Sequence, residues 1–195
     1  MRNNLLILTG PQGSGNHLWS KIFSKHPFVN GWRMKQYWEG HHHEPFSDWW
    51  DDPSLIEDTG HRYNFTSISC PYFRDQKDCI PSYYTFIENA RKIYNVKIAV
   101  ISRDQNILKT QEERVRGVKT YDKFIKQLPY LHPDFFLSTE TLFLYKEAYL
   151  THLSNILNIP VWIEGHDLFD TNTKYVSPVP EQSLDLEVKK ACDES

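Results

Sequence analysis

The glycines near the start of the chain are the residues whose spacing most clearly suggests chemistry. Three of the 8 glycines of the 195-residue chain fall within Gly10–Gly15. Glycine adopts positive φ angles and allows close approach to the backbone, so such a loop can turn its N–H groups towards an anion. The loop follows a short apolar run, Leu5–Leu8, and precedes apolar residues at helical spacing from Leu18 to Phe23. A buried strand, a glycine loop and a helix in this order predict a phosphate site at the N-terminus of the helix.

The residues after the glycines bear on which phosphate compound binds. The loop of ATP- and GTP-binding proteins has the pattern G-x-x-x-x-G-K followed by Ser or Thr, where the lysine contacts the phosphates and the hydroxyl binds Mg²⁺. The spacing from Gly10 to Gly15 fits this pattern, but Asn16 replaces the lysine and His17 replaces the hydroxyl residue. The sequence therefore disfavours hydrolysis of ATP or GTP. A nucleotide or nucleoside kinase with an aberrant loop stays open as an alternative.

The loop resembles that of sulfotransferases that use 3′-phosphoadenosine 5′-phosphosulfate (PAPS). The similarity is greatest to the heparan-type glucosaminyl branch, where a G-P-Q-K-x-G-T loop precedes a helix that ends in H-P. Here residues 10–16 are GPQGSGN and residues 25–27 are KHP. In the family this loop binds the 5′-phosphosulfate. The resemblance therefore implies that the cofactor is bound by Gln12, Gly13, Ser14, Gly15, Asn16 and His17.

A second stretch, residues 97–104, resembles the family's strand that ends in R-D. The resemblance implies that Arg103 binds the 3′-phosphate of PAPS, a role suited to the guanidinium fork. The family has a serine eight residues further on, and here that position is Gln111, with Thr110 just before it. A late loop of the family closes over the nucleotide with a basic residue, which corresponds here to Lys174.

The catalytic groups depart from the family pattern. Transfer of a sulfuryl group needs a cation near the leaving phosphate oxygen and a base for the acceptor. The family takes the cation from a loop lysine, but Gly13 stands at that position. We expect Lys35, on a predicted second strand, or else His17 or Lys21, on the helix after the loop, to compensate. Glu39 is the first candidate for the base and His43 the second. The alternative for each is a solvent-facing side chain in an irregular segment.

Residues 39–62 form a polar, irregular excursion that is predicted to act as an acceptor-side segment or lid. The aromatic residues in and beside it suggest a pocket that stacks on a sugar or a planar ring. The alternative is a lid that packs onto the core. Three consecutive histidines, His41–His43, lack the spacing at which side chains converge on a metal ion, so no metal site is expected. The aromatic set comprises Trp38, Phe46, Trp49 and Trp50.

Apolar strands that alternate with amphipathic helices predict an α/β fold. We expect one domain over residues 1–195: a three-layer sandwich with a central parallel sheet, of the P-loop, nucleotide-kinase-like type found in sulfotransferases. Weaker similarities to the family at residues 65–73 and 135–161 extend the resemblance over most of the chain. The predicted strands include Phe65–Ser69, Val96–Ile101, Phe135–Leu137 and Val161–Ile163, and the predicted helices include Tyr83–Tyr94, Asn106–Arg116, Tyr121–Leu128 and Lys146–Leu157.

Charge and composition restrict the partners. Lys and Arg number 22 against 25 Asp and Glu, which gives a net charge of −3 and no overall attraction to nucleic acid or to an anionic membrane. One basic stretch lies near the proposed 3′-phosphate site and comprises Arg103, Lys109, Arg114, Arg116, Lys119 and Lys123. The alternative is a solvated helix face, since Glu112 and Glu113 lie within the stretch, and as a nucleic-acid-binding signal it is weak. Three cysteines do not form a disulfide framework, and no early apolar run is long enough for a signal peptide or a membrane span. The expected location is therefore the cytoplasm.

The leading hypothesis is an enzyme that moves a sulfuryl group from PAPS to a hydroxyl or amine of a small molecule or glycan. Its other product is the desulfated nucleotide PAP, and it requires no metal. Two alternatives stay open: the kinase with an aberrant loop, and a non-catalytic nucleotide-binding protein that kept the fold. Gly13 in place of the lysine favours the second of these, whereas the intact Arg103-Asp104 pair favours a retained 3′-phosphate site.

Overall fold

A computed structural model describes residues 2–31, 46–74, 77–115, 120–161 and 163. The strands, in chain order, are β1 (Asn4–Pro11), β2 (Val29–Asn30), β3 (Tyr63–Cys70), β4 (Tyr72–Arg74), β5 (Lys77–Cys79), β6 (Asn95–Ser102) and β7 (Phe135–Ser138). The helices are α1 (Asn16–Ser24), α2 (Ser47–Asp51), α3 (Tyr83–Ile93), α4 (Gln105–Val115), α5 (Tyr121–Ile125), α6 (Leu128–Leu131) and α7 (Thr139–Leu157).

Five strands form one parallel sheet in the order β2-β3-β1-β6-β7. The central strand β1 is buried along almost its whole length, because its apolar run Leu5–Leu8 faces helices on both sides of the sheet. The short strands β4 and β5 form a separate antiparallel hairpin. The predicted α/β class and the parallel pairing of the central strands are confirmed.

Two apolar clusters show that helices cover both faces of the sheet. Alternate residues of a strand point to opposite faces. Leu6 and Leu8 therefore pack with α1 and α7 on one face, while Leu5 and Ile7 pack with α2, α3, α5 and α6 on the other. The fold has three layers, with a helical layer on either side of the sheet.

The chain leaves β1 and β6 in opposite directions across the sheet. From β1 it passes through α1 to the edge strand β2, whereas from β6 it passes to the opposite edge strand β7. Ligands of open α/β sheets bind in the crevice that such a reversal opens at the carboxyl ends of the strands. The glycine loop follows β1 and Arg103 follows β6, so both predicted phosphate-binding features lie at this point.

Predicted boundaries fail near the end of the described chain. Helix α7 begins at Thr139, because the Ser138 hydroxyl accepts a hydrogen bond from the N–H of Thr141 and so caps the helix there. It is kinked at Lys146, whose φ of 42° and ψ of −117° are not helical, so the predicted helix Lys146–Leu157 corresponds to the part of α7 that follows the kink. The strand predicted at Val161–Ile163 is wrong, since its two described residues are not in a strand. The apolar residue Val161 instead packs into the core beside α7, which accounts for the apolar character of this segment without a strand. The helix predicted at residues 121–128 is interrupted: α5 ends at Ile125, and a proline lies in the first turn of α6.

The described part of the excursion packs onto the core. Trp50 stacks on Phe86, with the ring centroids 3.6 Å apart, and its indole N–H donates to the Thr66 hydroxyl at 2.9 Å. Phe46 and Trp49 are buried in the same cluster. These contacts favour the packed lid over an open aromatic pocket for these three residues, and Trp38 lies outside the described residues.

The described helices and cysteines bear on membrane insertion and on disulfides. Of the helices that the structure describes, none is long and apolar enough to cross a membrane. Cys70 and Cys79 lie close in sequence but are free thiols. Within the described residues, packing of the two apolar clusters therefore holds the fold together without a cross-link between these cysteines.

Candidate functional site

Two glycines of the loop have backbone conformations that other residues rarely adopt. Gly13 has a φ of 81° and Gly15 a φ of 105°, both in the left-handed region. Gly10 meets a different requirement, because an added Cβ would lie 2.7 Å from the Ser14 hydroxyl oxygen and 3.1 Å from the Cβ of Ile101. The glycine spacing seen in the sequence therefore sets the path of the loop and its close approach to β6.

Hydrogen bonds inside the loop fix its shape. The carbonyl oxygen of Pro11 accepts from the Ser14 N–H at 3.2 Å, from the Ser14 hydroxyl at 2.7 Å and from the side-chain amide of Asn16 at 3.2 Å. Ser14 and Asn16 are both buried. The resemblance implies that Ser14 and Asn16 belong to the cofactor-binding loop, and in the structure their side chains brace that loop. The backbone N–H of Ser14 takes part in the same bracing through its bond to Pro11.

Gln12 ties the loop to the end of the neighbouring strand. Its side-chain amide donates to the carbonyl oxygen of Pro71 at 2.6 Å, and only 8% of the residue is exposed. Pro71 directly follows β3, so the contact joins the carboxyl ends of β1 and β3. Gln12 was predicted to bind the cofactor, and in the structure its amide N–H group is used to hold the loop.

Helix α1 starts at the loop with a favourable electrostatic environment for an anion. Gly15 precedes the helix, no described side chain caps it, and its first turn has no acidic residue. The N–H groups of a first helical turn have no acceptor within the helix, and the helix dipole places partial positive charge there. His17 lies in this first turn and is half-buried. The loop and helix therefore provide the arrangement that the glycine pattern predicts.

Arg103 reaches the loop from the adjacent strand. Its guanidinium Nη1 donates a hydrogen bond to the carbonyl oxygen of Gly13 at 2.5 Å. Asp104 faces the other way, because its carboxylate accepts from the N–H groups of Asn106 and Ile107 and so caps α4. Of the predicted Arg-Asp pair, the arginine thus belongs to the site and the aspartate to the helix after it.

The start of α7 contributes two residues that sequence reasoning missed. The Thr139 hydroxyl donates to the carbonyl oxygen of Ser14 at 3.1 Å, which holds the loop from the side of β7. The Glu140 carboxylate accepts the N–H of Asp104 at 3.0 Å. These contacts join the segments that follow β1, β6 and β7. The available signal was the polar run at 138–140 directly after an apolar strand, which marks a helix start at the same edge of the sheet.

The other predicted residues are distributed differently. Thr110 is exposed on α4, and its hydroxyl donates to the Asn106 carbonyl oxygen at 2.9 Å. Gln111 is the next helical residue, and only its backbone is described. The structure therefore brings the loop residues 12–17 together with Arg103. The predicted residues that lie outside the described part of the chain are Lys35, Glu39, His43 and Lys174.

A buried polar group lies beneath the loop, at the carboxyl ends of β1 and β3. The Tyr83 hydroxyl bonds to the Thr9 hydroxyl at 2.6 Å, and Thr9 donates to the Ile68 carbonyl oxygen at 2.7 Å. Burial raises the pKa of the neighbouring Cys70 thiol to about 11, against a smaller lowering by the hydrogen bond with Tyr83. The thiol is therefore protonated at neutral pH and is not an activated nucleophile.

Comparisons with known proteins add no relative to this description. No family model matches the chain, and neither does any curated protein. The assignment of a function therefore depends on the geometry of the loop and Arg103, together with the resemblance of the motifs that contain them.

Proposed function

We propose that this protein binds PAPS at the carboxyl edge of the sheet and transfers its sulfuryl group to a hydroxyl or amine of a small molecule or glycan. The observation that carries the proposal is the contact between Arg103 and Gly13. It brings a permanently charged side chain to a glycine loop at the N-terminus of a helix. Two sources of positive potential thus converge at one point, which favours a multiply charged anion.

The proposal of PAPS and not ATP is supported by the absence from the loop of the lysine and the hydroxyl residue that bind ATP and Mg²⁺. The position of the ATP-binding lysine is occupied by Asn16, whose amide is engaged with Pro11 inside the loop. The position of the Mg²⁺-binding hydroxyl is His17. A nucleotide bound here depends on backbone N–H groups and Arg103 and needs no metal. The R-D motif supports the assignment to PAPS by resemblance, and the strand order with the loop after the central strand supports the P-loop fold.

The proposed reaction is an in-line displacement at sulfur. The acceptor oxygen or nitrogen forms a bond to sulfur, the bond from sulfur to the bridging phosphate oxygen breaks, and PAP leaves with that electron pair. A base removes the proton of the acceptor. Positive charge at the loop stabilises the developing charge on the leaving oxygen. Lys35 and Glu39 stay our proposals for a further cation and for the base.

Binding measurements test the proposal directly. We expect PAP to bind without Mg²⁺ and more tightly than ADP or ATP in titration calorimetry, and chelation of divalent ions should leave its affinity unchanged. Transfer of labelled sulfate from PAPS to a panel of sugars, phenols and amines tests the reaction itself. An absolute requirement for Mg²⁺, or tighter binding of ATP than of PAP, would point instead to the kinase alternative.

A second candidate, a non-catalytic nucleotide-binding protein, is favoured by the conformation of Gly13. A lysine would be strained at a φ of 81°, so this loop is not built to carry the family's cation. The two candidates differ in one measurement. Tight PAP binding without transfer to any acceptor supports the non-catalytic protein, whereas label transfer supports the enzyme.

A further inference from the structure

One buried side-chain oxygen of the glycine loop has no hydrogen-bond donor within the described part of the chain. This atom is Oε1 of Gln12, a residue of which only 8% is exposed. A buried amide oxygen without a donor is costly, because it has given up its bonds to water and has gained none in return. The bond from Gln12 to Pro71 uses only the N–H half of this amide, so the other half is available to a ligand.

The bond to Pro71 fixes which way the amide of Gln12 faces. Its Nε2 donates to the Pro71 carbonyl oxygen at 2.6 Å. If the amide were turned over, Oε1 would replace Nε2 there, and two acceptors would face each other. Asn16 also has a buried oxygen without a donor among the described residues, but its amide bonds to Pro11 inside the loop. Of the two amides, Gln12 is therefore the one that reaches the end of another strand.

The sheet order places Gln12 on a particular side of the loop. β1 lies between β3 and β6, and Pro71 directly follows β3, so the bond from Gln12 crosses to the β3 side. The proposed nucleotide site opens between β1 and β6, where the direction of the chain reverses. An in-line displacement brings the incoming group to sulfur from the side opposite the leaving oxygen. A nucleotide on the β6 side therefore leaves the β3 side of the loop to the sulfuryl acceptor.

We propose that Gln12 binds the sulfuryl acceptor and not the cofactor, and that its Oε1 receives a hydrogen bond from an O–H or N–H group of the acceptor. The oxygens of an ionised phosphosulfate group accept hydrogen bonds but donate none, so they cannot serve an amide oxygen. The acceptor is the ligand at this edge that brings a donor. The inference rests on the proposed function, because it requires sulfuryl transfer, and it differs from the cofactor role that the resemblance implies for Gln12.

The proton balance of the reaction narrows the class of acceptor. The reacting hydroxyl or amine forms its bond to sulfur and gives one proton to the base. An amide oxygen accepts a hydrogen bond but is too weak a base to take that proton, so Oε1 of Gln12 receives a second hydrogen. The acceptor is therefore a primary amine, or a hydroxyl compound with another O–H or N–H group beside the reacting one. A simple alcohol or phenol has only the hydrogen that the base removes.

Matched pairs of acceptors test the inference through kcat/KM for label transfer from PAPS. Catechol is compared with 2-methoxyphenol, and benzylamine with N-methylbenzylamine, because the second compound of each pair lacks the second donor hydrogen. For any other acceptor that the wild type uses, the derivative methylated at the second donor serves as the partner. We expect the wild type to prefer the first compound by about tenfold to a hundredfold, since the second leaves Oε1 of Gln12 without a donor. Equal use of both compounds by the wild type would overturn the inference.

The variant Gln12→Met shows whether the preference comes from the amide. Its side chain has a similar length but no hydrogen-bonding group, so we expect both compounds of a pair to react alike. Gln12→Met also loses the bond to Pro71, but a change of loop shape lowers kcat/KM for both compounds and leaves their ratio unchanged. A wild-type ratio in Gln12→Met, with or without a loss of PAP affinity, would overturn the inference.

Ser14→Ala is the matched control for bracing of the loop. It removes the bond from the Ser14 hydroxyl to the Pro11 carbonyl oxygen and keeps the amide of Gln12. We expect this variant to retain the wild-type preference within each pair, whatever its effect on the rate. If Ser14→Ala lost the preference as completely as Gln12→Met, the preference would come from the shape of the loop, and the inference would be wrong.

The wild-type protein distinguishes failure of this inference from failure of the proposed function. Label transfer without a preference inside the pairs contradicts the inference alone and leaves the proposed function intact. PAP binding without transfer to any acceptor contradicts the proposed transfer, and it overturns the inference as well because no acceptor is then used. Thermal unfolding of each variant shows that a change in the ratio does not come from a loss of fold.

Discussion

The hydroxyl of Thr139 donates a hydrogen bond to the carbonyl oxygen of Ser14 across 125 residues of the chain. The same hydroxyl accepts the indole N–H of Trp19 at 3.2 Å. Thr139 is buried at the first position of α7, so one side chain joins the start of that helix to the glycine loop and to α1. The loop is thereby held from β7 as well as from β6, and its conformation depends on both.

Replacement of Thr139 by valine should therefore destabilise the protein. Valine has a similar shape but leaves the buried Trp19 N–H without its acceptor and the Ser14 carbonyl oxygen without this donor. We expect a loss of about 2 kcal/mol in the free energy of unfolding, measured by urea denaturation. Thr151→Val is the matched control, because its exposed hydroxyl bonds only within α7, to the Glu147 carbonyl oxygen. Equal losses in both variants would contradict a special role for Thr139.

The conformation of Gly13 leads to a second prediction, in which Gly60 is the control. Gly60 has a φ of 72°, and an added Cβ there would meet no atom within 4 Å. Alanine at either position should cost about 1–2 kcal/mol of stability through the backbone alone. Only Gly13→Ala should also weaken PAP binding, since it moves the carbonyl oxygen that orients Arg103. Calorimetry on both variants checks this, and intact PAP binding by Gly13→Ala would contradict it.

The backbone conformation of Gly13 also predicts the outcome of an attempt to restore the family's loop lysine. Introducing the family's lysine as Gly13→Lys would restore activity if the loop lacked only a charge. The positive φ makes this outcome unexpected, because the substitution strains the backbone at the position that contacts Arg103. We expect Gly13→Lys to be no more active than Gly13→Ala in PAPS label transfer. Higher activity than the wild type would show that the loop tolerates the lysine.

The sequence predicted the parts of this fold that depend on local pattern. The runs Leu5–Leu8 and Ile98–Ile101 are continuous and apolar because both faces of these strand segments are covered, and glycines directly follow the first run. Parallel strands then place Arg103 and the loop at one edge. What the sequence did not reveal depends on distant contacts, such as the bond from Thr139 to Ser14.

The packing of Trp50 likewise depends on contacts between distant segments, which the sequence alone does not reveal. Trp50 lies in a polar stretch whose composition suggests an open pocket, yet Phe86 and Thr66 provide a stacking surface and a hydrogen-bond acceptor for it. Neither partner is close to Trp50 in sequence. The pattern of residues within one segment does not show which residues of another segment pack against it. The sequence therefore could not distinguish a lid packed onto the core from an open aromatic pocket.

The buried Cys70 thiol leads to a prediction about pH. Burial raises its pKa to about 11, above that of an exposed thiol near 8.5. The folded state therefore keeps the proton where the unfolded state loses it, and stability should be constant below about pH 8 and fall as pH rises towards 11. Burial also raises the pKa of Tyr83, which acts in the same direction.

Alkylation by iodoacetamide, followed by mass spectrometry of peptides, checks the state of this thiol. At pH 8 we expect Cys70 to be protected in the folded protein and the partly exposed Cys79 to be modified faster. Both should react alike in denaturant. Cys70→Ala should remove part of the loss of stability between pH 9 and 11, and an unchanged pH profile would contradict the assignment of that loss to the thiol.

Glu112 shows how a charged residue assigned to a solvated helix face can hold two elements together. It is buried, with 7% of the residue exposed. One carboxylate oxygen accepts hydrogen bonds from the N–H of Thr120 at 2.8 Å, the hydroxyl of Thr120 and the N–H of Tyr121 at 2.6 Å. The carboxylate thereby joins α4 to the start of α5 and supplies the acceptor for donors at that helix start.

Removal of this carboxylate should be costly, because the three donors would lose their acceptor within the protein. We expect Glu112→Ala to lower the free energy of unfolding by about 3 kcal/mol, since hydrogen bonds to charged groups are the stronger kind. Glu112→Gln keeps an oxygen acceptor without the charge and should lie between alanine and the wild type. Glu147→Ala, at an exposed position of α7, is the control and should change stability by less than about 0.5 kcal/mol. Urea denaturation of the three variants measures these free energies of unfolding. If Glu112→Ala is as stable as Glu147→Ala, the Glu112 carboxylate does not hold α5 to α4.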